Sequence, residues 1–190
     1  MQILAISGSL RSGASNTELL TAAMLLAPAS VEISMYGGLN TLPHFNPDLD
    51  NLDGSTLPEI VADLRSHIGG AEGILISCPE YAHGIPGSFK NLLDWLVGST
   101  EFPGKPVALL NTSSMSVHAP EQLIEVLTTM NARIVPQACF IVPLLGRRLD
   151  AQAIAADPEL SAVLRVAITS FVHAISSMQS DTAPLSVNVP

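Results

Sequence analysis

The sequence is poor in cysteine, in basic residues and in long apolar runs, and each shortage excludes something. Its two cysteines, Cys78 and Cys139, stand apart in apolar stretches, with no Cys-x-x-Cys and no mixed Cys/His spacing. No metal site is therefore expected, and both read as reduced core thiols. Only 8 lysines and arginines face 17 acidic residues, a formal net charge of −9. That balance argues against nucleic acid as a partner, which needs clustered cations. No stretch approaches the roughly 18 apolar residues of a membrane span. The opening Met1-Gln2-Ile3-Leu4 lacks the basic region of a signal peptide. No membrane partner and a cytoplasmic location are the resulting expectations. Absent too are the Gly-Lys-Ser/Thr of a P-loop and the Gly-x-Gly-x-x-Gly of a dinucleotide fold.

What is present is a globular composition, 47% hydrophobic and 13% charged over 190 residues. That is enough for one domain with a sizeable core. The expected boundaries are 1–179 for the domain, with 180–190 as a disordered tail that lacks periodicity. Short apolar runs at 2–7, 31–35, 73–77, 106–111 and 138–142 read as strands buried on both faces. Helical spacing links Leu57, Ile60, Val61, Leu64 and Ile68, then Leu123, Ile124, Leu127 and Met130, then Leu160, Val163, Leu164, Ala167, Ile168, Phe171 and Ile175. Ser15 with Glu18, and Thr56 with Glu59, fit capping boxes.

This alternation predicts an α/β fold: a three-layer, doubly wound, five-stranded parallel sheet in the flavodoxin-like order 2-1-3-4-5. Ligands then bind beyond the carboxyl ends of the strands, at the switch point between strands 1 and 3. Three loops meet there: 7–17, 78–88 and 112–119. The stretch 37–55, rich in Pro, Asn, Asp and Gly, reads as a long irregular connection, functional or mobile.

The first loop, Ser7-Gly8-Ser9-Leu10-Arg11-Ser12-Gly13-Ala14-Ser15-Asn16-Thr17, joins an apolar strand to a helix start. Hydroxyls, backbone N–H groups and the helix dipole converge in such a loop on an anion. Arg11 can grip phosphate bidentately; its alternative is a solvated surface charge. The second segment, Pro79-Glu80-Tyr81-Ala82-His83-Gly84-Ile85-Pro86-Gly87, packs a carboxylate, an aromatic, an imidazole, prolines and glycines together. Glycine and proline fix its backbone so that N–H and C=O groups can face a planar ligand. Tyr81 packing on the loop, and His83 as an exposed polar residue, are the alternatives.

These two segments resemble the NADPH-dependent FMN reductase family, a flavodoxin-like family. The family's G-S-x-R-x-x-S-x-N pattern matches Gly8, Ser9, Arg11, Ser15 and Asn16, allowing for loop length. Its P-E-Y-N…P-G…K-N…D-W pattern matches Pro79 to Trp95 almost throughout, and Gly104-Lys105-Pro106 resembles its entry to strand 4. The resemblance implies an FMN-dependent NAD(P)H oxidoreductase. Ser9, Arg11, Ser15, Asn16 and Thr17 would hold the FMN phosphate. Pro79, Glu80, Tyr81, Ala82, His83 and Gly84 would border the ring, largely through backbone groups, with Ser113 and its loop on the other side. No catalytic dyad is implied, because the flavin carries the chemistry.

The implied mechanism is ping-pong: NADPH or NADH delivers a hydride and leaves, and a small-molecule acceptor such as a flavin or quinone takes its place. A flavodoxin-type electron carrier and a non-catalytic flavin-binding protein are the competing classes. The resemblance also implies a homodimer or homotetramer, with 89–97 as a candidate contact or an ordinary buried helix. The sequence departs from the family twice. Ala82 stands where Asn is common, and Ser113-Ser114-Met115-Ser116-Val117-His118 contains no glycine where relatives are often glycine-rich.

Overall fold

The computed structural model describes residues 1–51 and 54–182. Strands and helices alternate: β1 (Gln2–Ser7), α1 (Ser15–Leu26), β2 (Glu32–Met35), α2 (Glu59–Gly70), β3 (Gly73–Ser77), α3 (Gly87–Leu96), β4 (Pro106–Asn111), α4 (His118–Thr129), β5 (Arg133–Ile134), β6 (Phe140–Ile141), α5 (Ala151–Ala156) and α6 (Pro158–Thr182). The sheet is parallel in the order β2-β1-β3-β4-β5, the expected doubly wound arrangement.

The strand alternation sorts side chains onto two faces. Ile3 and Ala5 of β1, Leu75 of β3, and Ala108 and Leu110 of β4 pack against α1, α5 and α6. Leu4, Ile6, Ile74, Ile76 and Val107 pack against α2, α3 and α4. Gly73 leaves room for α6 side chains: a Cβ there would lie 2.6 Å from Ile175 Cδ1 and 2.8 Å from Phe171 Cζ.

The fifth strand differs from the expected 138–142. Only β6 falls within that run; β5 precedes it, and a 3-10 turn opened by Pro136, Pro136–Ala138, separates the two short strands, which both pair with β4. Proline supplies no N–H to a ladder, so pairing stops there. The Leu109 N–H donates instead to Cys139 Sγ at 3.3 Å. That thiol is half-buried, whereas Cys78 is buried.

Neither capping box forms. The N-cap of α1 is Ala14, with no side-chain cap, and Glu18 instead accepts the Ala151 N–H at 2.8 Å, joining α1 to α5. The N-cap of α2 is Pro58, and the Thr56 hydroxyl donates to the Asp48 carbonyl at 3.5 Å. In α3, Phe89, Leu92, Leu93, Trp95 and Leu96 are all 1% exposed or less within their own chain, so this helix is ordinary core.

Helix α6 continues through 180–182, three residues into the expected tail; 183–190 lie outside the described residues. Its segment Pro158–Ser180 is long and apolar enough to cross a membrane by length and composition, contrary to the sequence expectation. Here its apolar stripe, Leu160, Leu164, Ala167, Ile168, Phe171 and Ile175, is core.

The connection 37–55 is anchored along its described part. Asn91 accepts the Phe45 N–H at 2.7 Å and donates to the Pro43 carbonyl at 2.9 Å, which also receives Trp95 Nε1–H at 2.8 Å. Arg65 Nη2 donates to both Asp50 carboxylate oxygens, at 2.8 and 2.9 Å, and to the Trp95 carbonyl at 2.7 Å.

Candidate functional site

The β1–α1 loop leaves the sheet at Gly8, whose N–H donates to the Ser77 carbonyl at 2.8 Å. A Cβ at Gly8 would sit 2.6 Å from Cys78 Sγ, so the ends of β1 and β3 can approach this closely only with glycine. Asn16 reinforces the junction: its Nδ2 donates to Ser77 Oγ at 2.9 Å, with both residues buried. Its side-chain amide is thereby committed to the fold, which leaves its backbone N–H for any ligand.

That N–H belongs to a helix start without a side-chain cap. Ser15, Asn16 and Thr17 open α1 with no acceptor from Ala14. The first N–H groups of a helix lack intrahelical partners, and the dipole there is positive. The Ser7 and Thr17 hydroxyls meet at 2.8 Å, Ser9 N–H donates to Ser7 Oγ at 3.3 Å, and Arg11 N–H to Ser9 Oγ at 3.3 Å. The loop is thus pre-shaped by its own hydroxyls, with the Arg11 side chain exposed at its tip. Arg11, Gly13 and Ser15 line a cleft of about 660 Å³ together with Thr112, Arg147 and Arg148. The two late arginines, far away in sequence, arrive there on the turn before α5. Arg147 is also bonded to Asp157 at 2.7 Å, and this bond, foremost among several, holds the Asp157 carboxyl below the usual range.

The β3–α3 segment forms a tight hairpin. Tyr81 and Gly84 exchange N–H···O bonds of 2.9 and 3.0 Å, with Ala82 and His83 between them at φ of 49° and 61°. Positive φ at both central residues is the I′ pattern, which favours Asn-Gly. Ala and His carry strain there, and such strain clusters at functional sites. The hairpin is tied to α4: Glu80 Oε2 accepts the Ala119 N–H at 3.0 Å, and Gln122 Oε1 accepts the Ile85 N–H at 2.9 Å. Tyr81 is 56% exposed, so it does not pack down on the loop.

The glycine-free third loop closes with side-chain turns. Asn111 Oδ1 accepts the Ser113 N–H at 3.2 Å, Ser113 Oγ accepts the Met115 N–H at 3.0 Å, and Asn111 Nδ2 donates to the Ser116 carbonyl at 3.2 Å. No residue of 112–119 takes a positive φ, so nothing in this backbone demands glycine. Ser113 is buried, while Met115 stands 76% exposed. The His118 ring lies 4.3 Å from that of His83, centroid to centroid, with the planes tilted by 42°. Their separation in sequence hid this pairing.

A parallel doubly wound sheet with an uncapped helix start and a Gly/Ser/Arg loop at the switch point defines a mononucleotide-binding α/β protein. The chain belongs to the NADPH-dependent FMN reductase family, which it matches over residues 1–144. It is 31% identical over 158 residues to the quinone reductase of Escherichia coli K12, covering 80% of this chain and 82% of that protein. An NAD(P)H-dependent FMN reductase of Pseudomonas aeruginosa is 35% identical over 116 residues, 60% of each chain. Among solved structures, the flavoenzyme NAD(P)H:(acceptor) oxidoreductase FerB of Paracoccus denitrificans superposes with a TM-score of 0.75 at 27% identity, covering 93% of this chain and 97% of that one. By family the chain is a flavin-dependent reductase, with FMN and a reduced nicotinamide as its cofactors.

Proposed function

We propose that the chain, through residues 1–179 as one FMN-binding domain, transfers reducing equivalents from NAD(P)H to a small quinone or flavin by a ping-pong mechanism. The observation that carries the reading is the uncapped start of α1 beside Arg11, tied through Gly8, Asn16 and Ser77 to the strained 81–84 hairpin. These residues fit FMN. Backbone N–H groups of Ser15, Asn16 and Thr17, the Ser9 hydroxyl and the Arg11 guanidinium would hold its phosphate. Pro79, Glu80, Tyr81, Ala82, His83 and Gly84 would border the ring on one side and Ser113 on the other. Bound there, FMN supplies two-electron hydride chemistry; the chain binds, orients and limits water access.

The quinone acceptor is supported by the names of the E. coli quinone reductase and of a Burkholderia 2-hydroxy-1,4-benzoquinone reductase, 34% identical over 116 residues. A preference for NADPH is supported by Arg147 and Arg148, which line the same cleft as Arg11, since a 2′-phosphate needs a nearby cation. Self-association as a homodimer or homotetramer is supported by exposed apolar Leu10, Tyr81, Met115 and Val117 on the site loops. A cytoplasmic location completes the reading.

The test is anaerobic. Purified protein loaded with FMN is mixed with NADPH or NADH, the flavin absorbance is followed, and a benzoquinone is then added. Bleaching followed by recovery is expected. No bleaching with either nicotinamide would sink the reading.

A further inference from the structure

Glu80, His83 and His118 reach one spot from two loops that the sequence separates by about 35 residues. One donor atom from each lies within 4.8 Å of the others. We propose that these three side chains form a binding site for a first-row divalent cation of borderline softness, with Zn²⁺ as the reference ion, which clips the β3–α3 hairpin to the start of α4.

The donor set is two imidazoles and one carboxylate, a combination that zinc takes in sites which keep a position open for water. Imidazole equally suits copper and nickel, so selectivity within this group is set by geometry. Ligand atoms about 2.0–2.2 Å from a tetrahedral zinc stand about 3.4 Å apart. The observed donors need to close by little more than an ångström, and both imidazoles are exposed.

The frame that would hold them is already built. Glu80 gives one oxygen to the Ala119 N–H, which orients the carboxylate and leaves the other oxygen for the cation. Such outer contacts fix ligands in place. His83 is presented by a turn whose positive φ is set by the flanking Tyr81–Gly84 hydrogen bonds. The two rings already face each other at 4.3 Å. Cation binding itself stands independently of the flavin. Its consequence, a lowered turnover because the cation sits at the rim of the ring site, rests on the reading given under the proposed function.

The experiment uses tag-free protein with and without FMN, titrated with Zn²⁺ by calorimetry. One ion per chain is expected in both forms. Affinity should fall at least tenfold in His118→Gln and in His83→Gln, and stay unchanged in His173→Gln, a distant exposed histidine. A Cu²⁺-loaded sample of the unaltered chain should show nitrogen hyperfine coupling from two imidazoles in its paramagnetic resonance spectrum, a readout that needs no variant. Absence of binding at 100-fold molar excess of Zn²⁺ would overturn the site, as would unchanged affinity in the His83→Gln/His118→Gln double variant. Zinc binding by a chain that does not take up FMN would overturn the flavin reading and leave the metal site standing. FMN uptake without zinc binding would do the reverse.

Discussion

Ala82 occupies a backbone conformation, φ 49°, that costs an L-residue with a Cβ about 1–2 kcal/mol. Asn tolerates this region several-fold better than other residues, because its amide can bond locally. Replacing Ala82 with Asn is therefore expected to raise unfolding stability by about 0.5–1 kcal/mol, measured in urea; a loss of stability would contradict the strain argument. At Arg11 the expectation concerns ligand. Hydrogen bonds to charged groups contribute about 1.5–3 kcal/mol, so Arg11→Ala should weaken FMN binding about 10- to 100-fold by fluorescence titration. Cys78 carries a different kind of prediction. Burial pushes its thiol from 9.0 up to about 12, so the native protein holds the proton where an unfolded thiol would lose it. The stability this contributes is complete below the unfolded pKa and is lost as pH rises from 9.0 toward about 12. At pH 8, iodoacetamide should leave Cys78 unlabelled in the native protein and label it in urea; rapid native labelling would show that the thiol is not sequestered.

At the level of elements, the long connection before α2 shows how irregular backbone is made permanent. Its carbonyls and amides are satisfied from α3, by Asn91 and Trp95, and its Asp50 is held by Arg65 of α2 with both side chains only 11–13% exposed. Two of the residues in this clamp, Asn91 and Trp95, belong to the family-like sequence pattern. Their part in the pattern is thus structural as much as functional. Breaking a largely buried ion pair leaves a charge without a partner and costs about 3 kcal/mol. Arg65→Met should show that loss in denaturant unfolding, together with faster proteolytic cutting within 37–51. A variant that unfolds like the parent would mean that the hydrogen bonds from Asn91 and Trp95 suffice.

For the molecule as a whole, the three loops lie in register because β1, β3 and β4 are neighbours in a parallel sheet. A ligand that bridges them stabilises the folded chain by mass action. FMN at 100 times its dissociation constant should add about 2.7 kcal/mol, which for a chain of this size is about 5–10 °C in Tm. Riboflavin, which lacks the phosphate, should add much less. An equal shift from both would place the ring, rather than the phosphate loop, at the centre of binding.

The sequence by itself determined the layers, the strand order, the three principal strands and the family, because buried parallel strands and their loops leave local, contiguous patterns. Tertiary structure decided what depends on distant partners. The turn at Pro136 set two short strands, β5 and β6, beside β4, and Glu18 turned from its own helix start to the N–H of Ala151. Arg147 and Arg148 joined Arg11 around one cleft, and His83 met His118. No spacing rule within one segment encodes such meetings. They exist only because the parallel sheet sets the ends of its strands side by side.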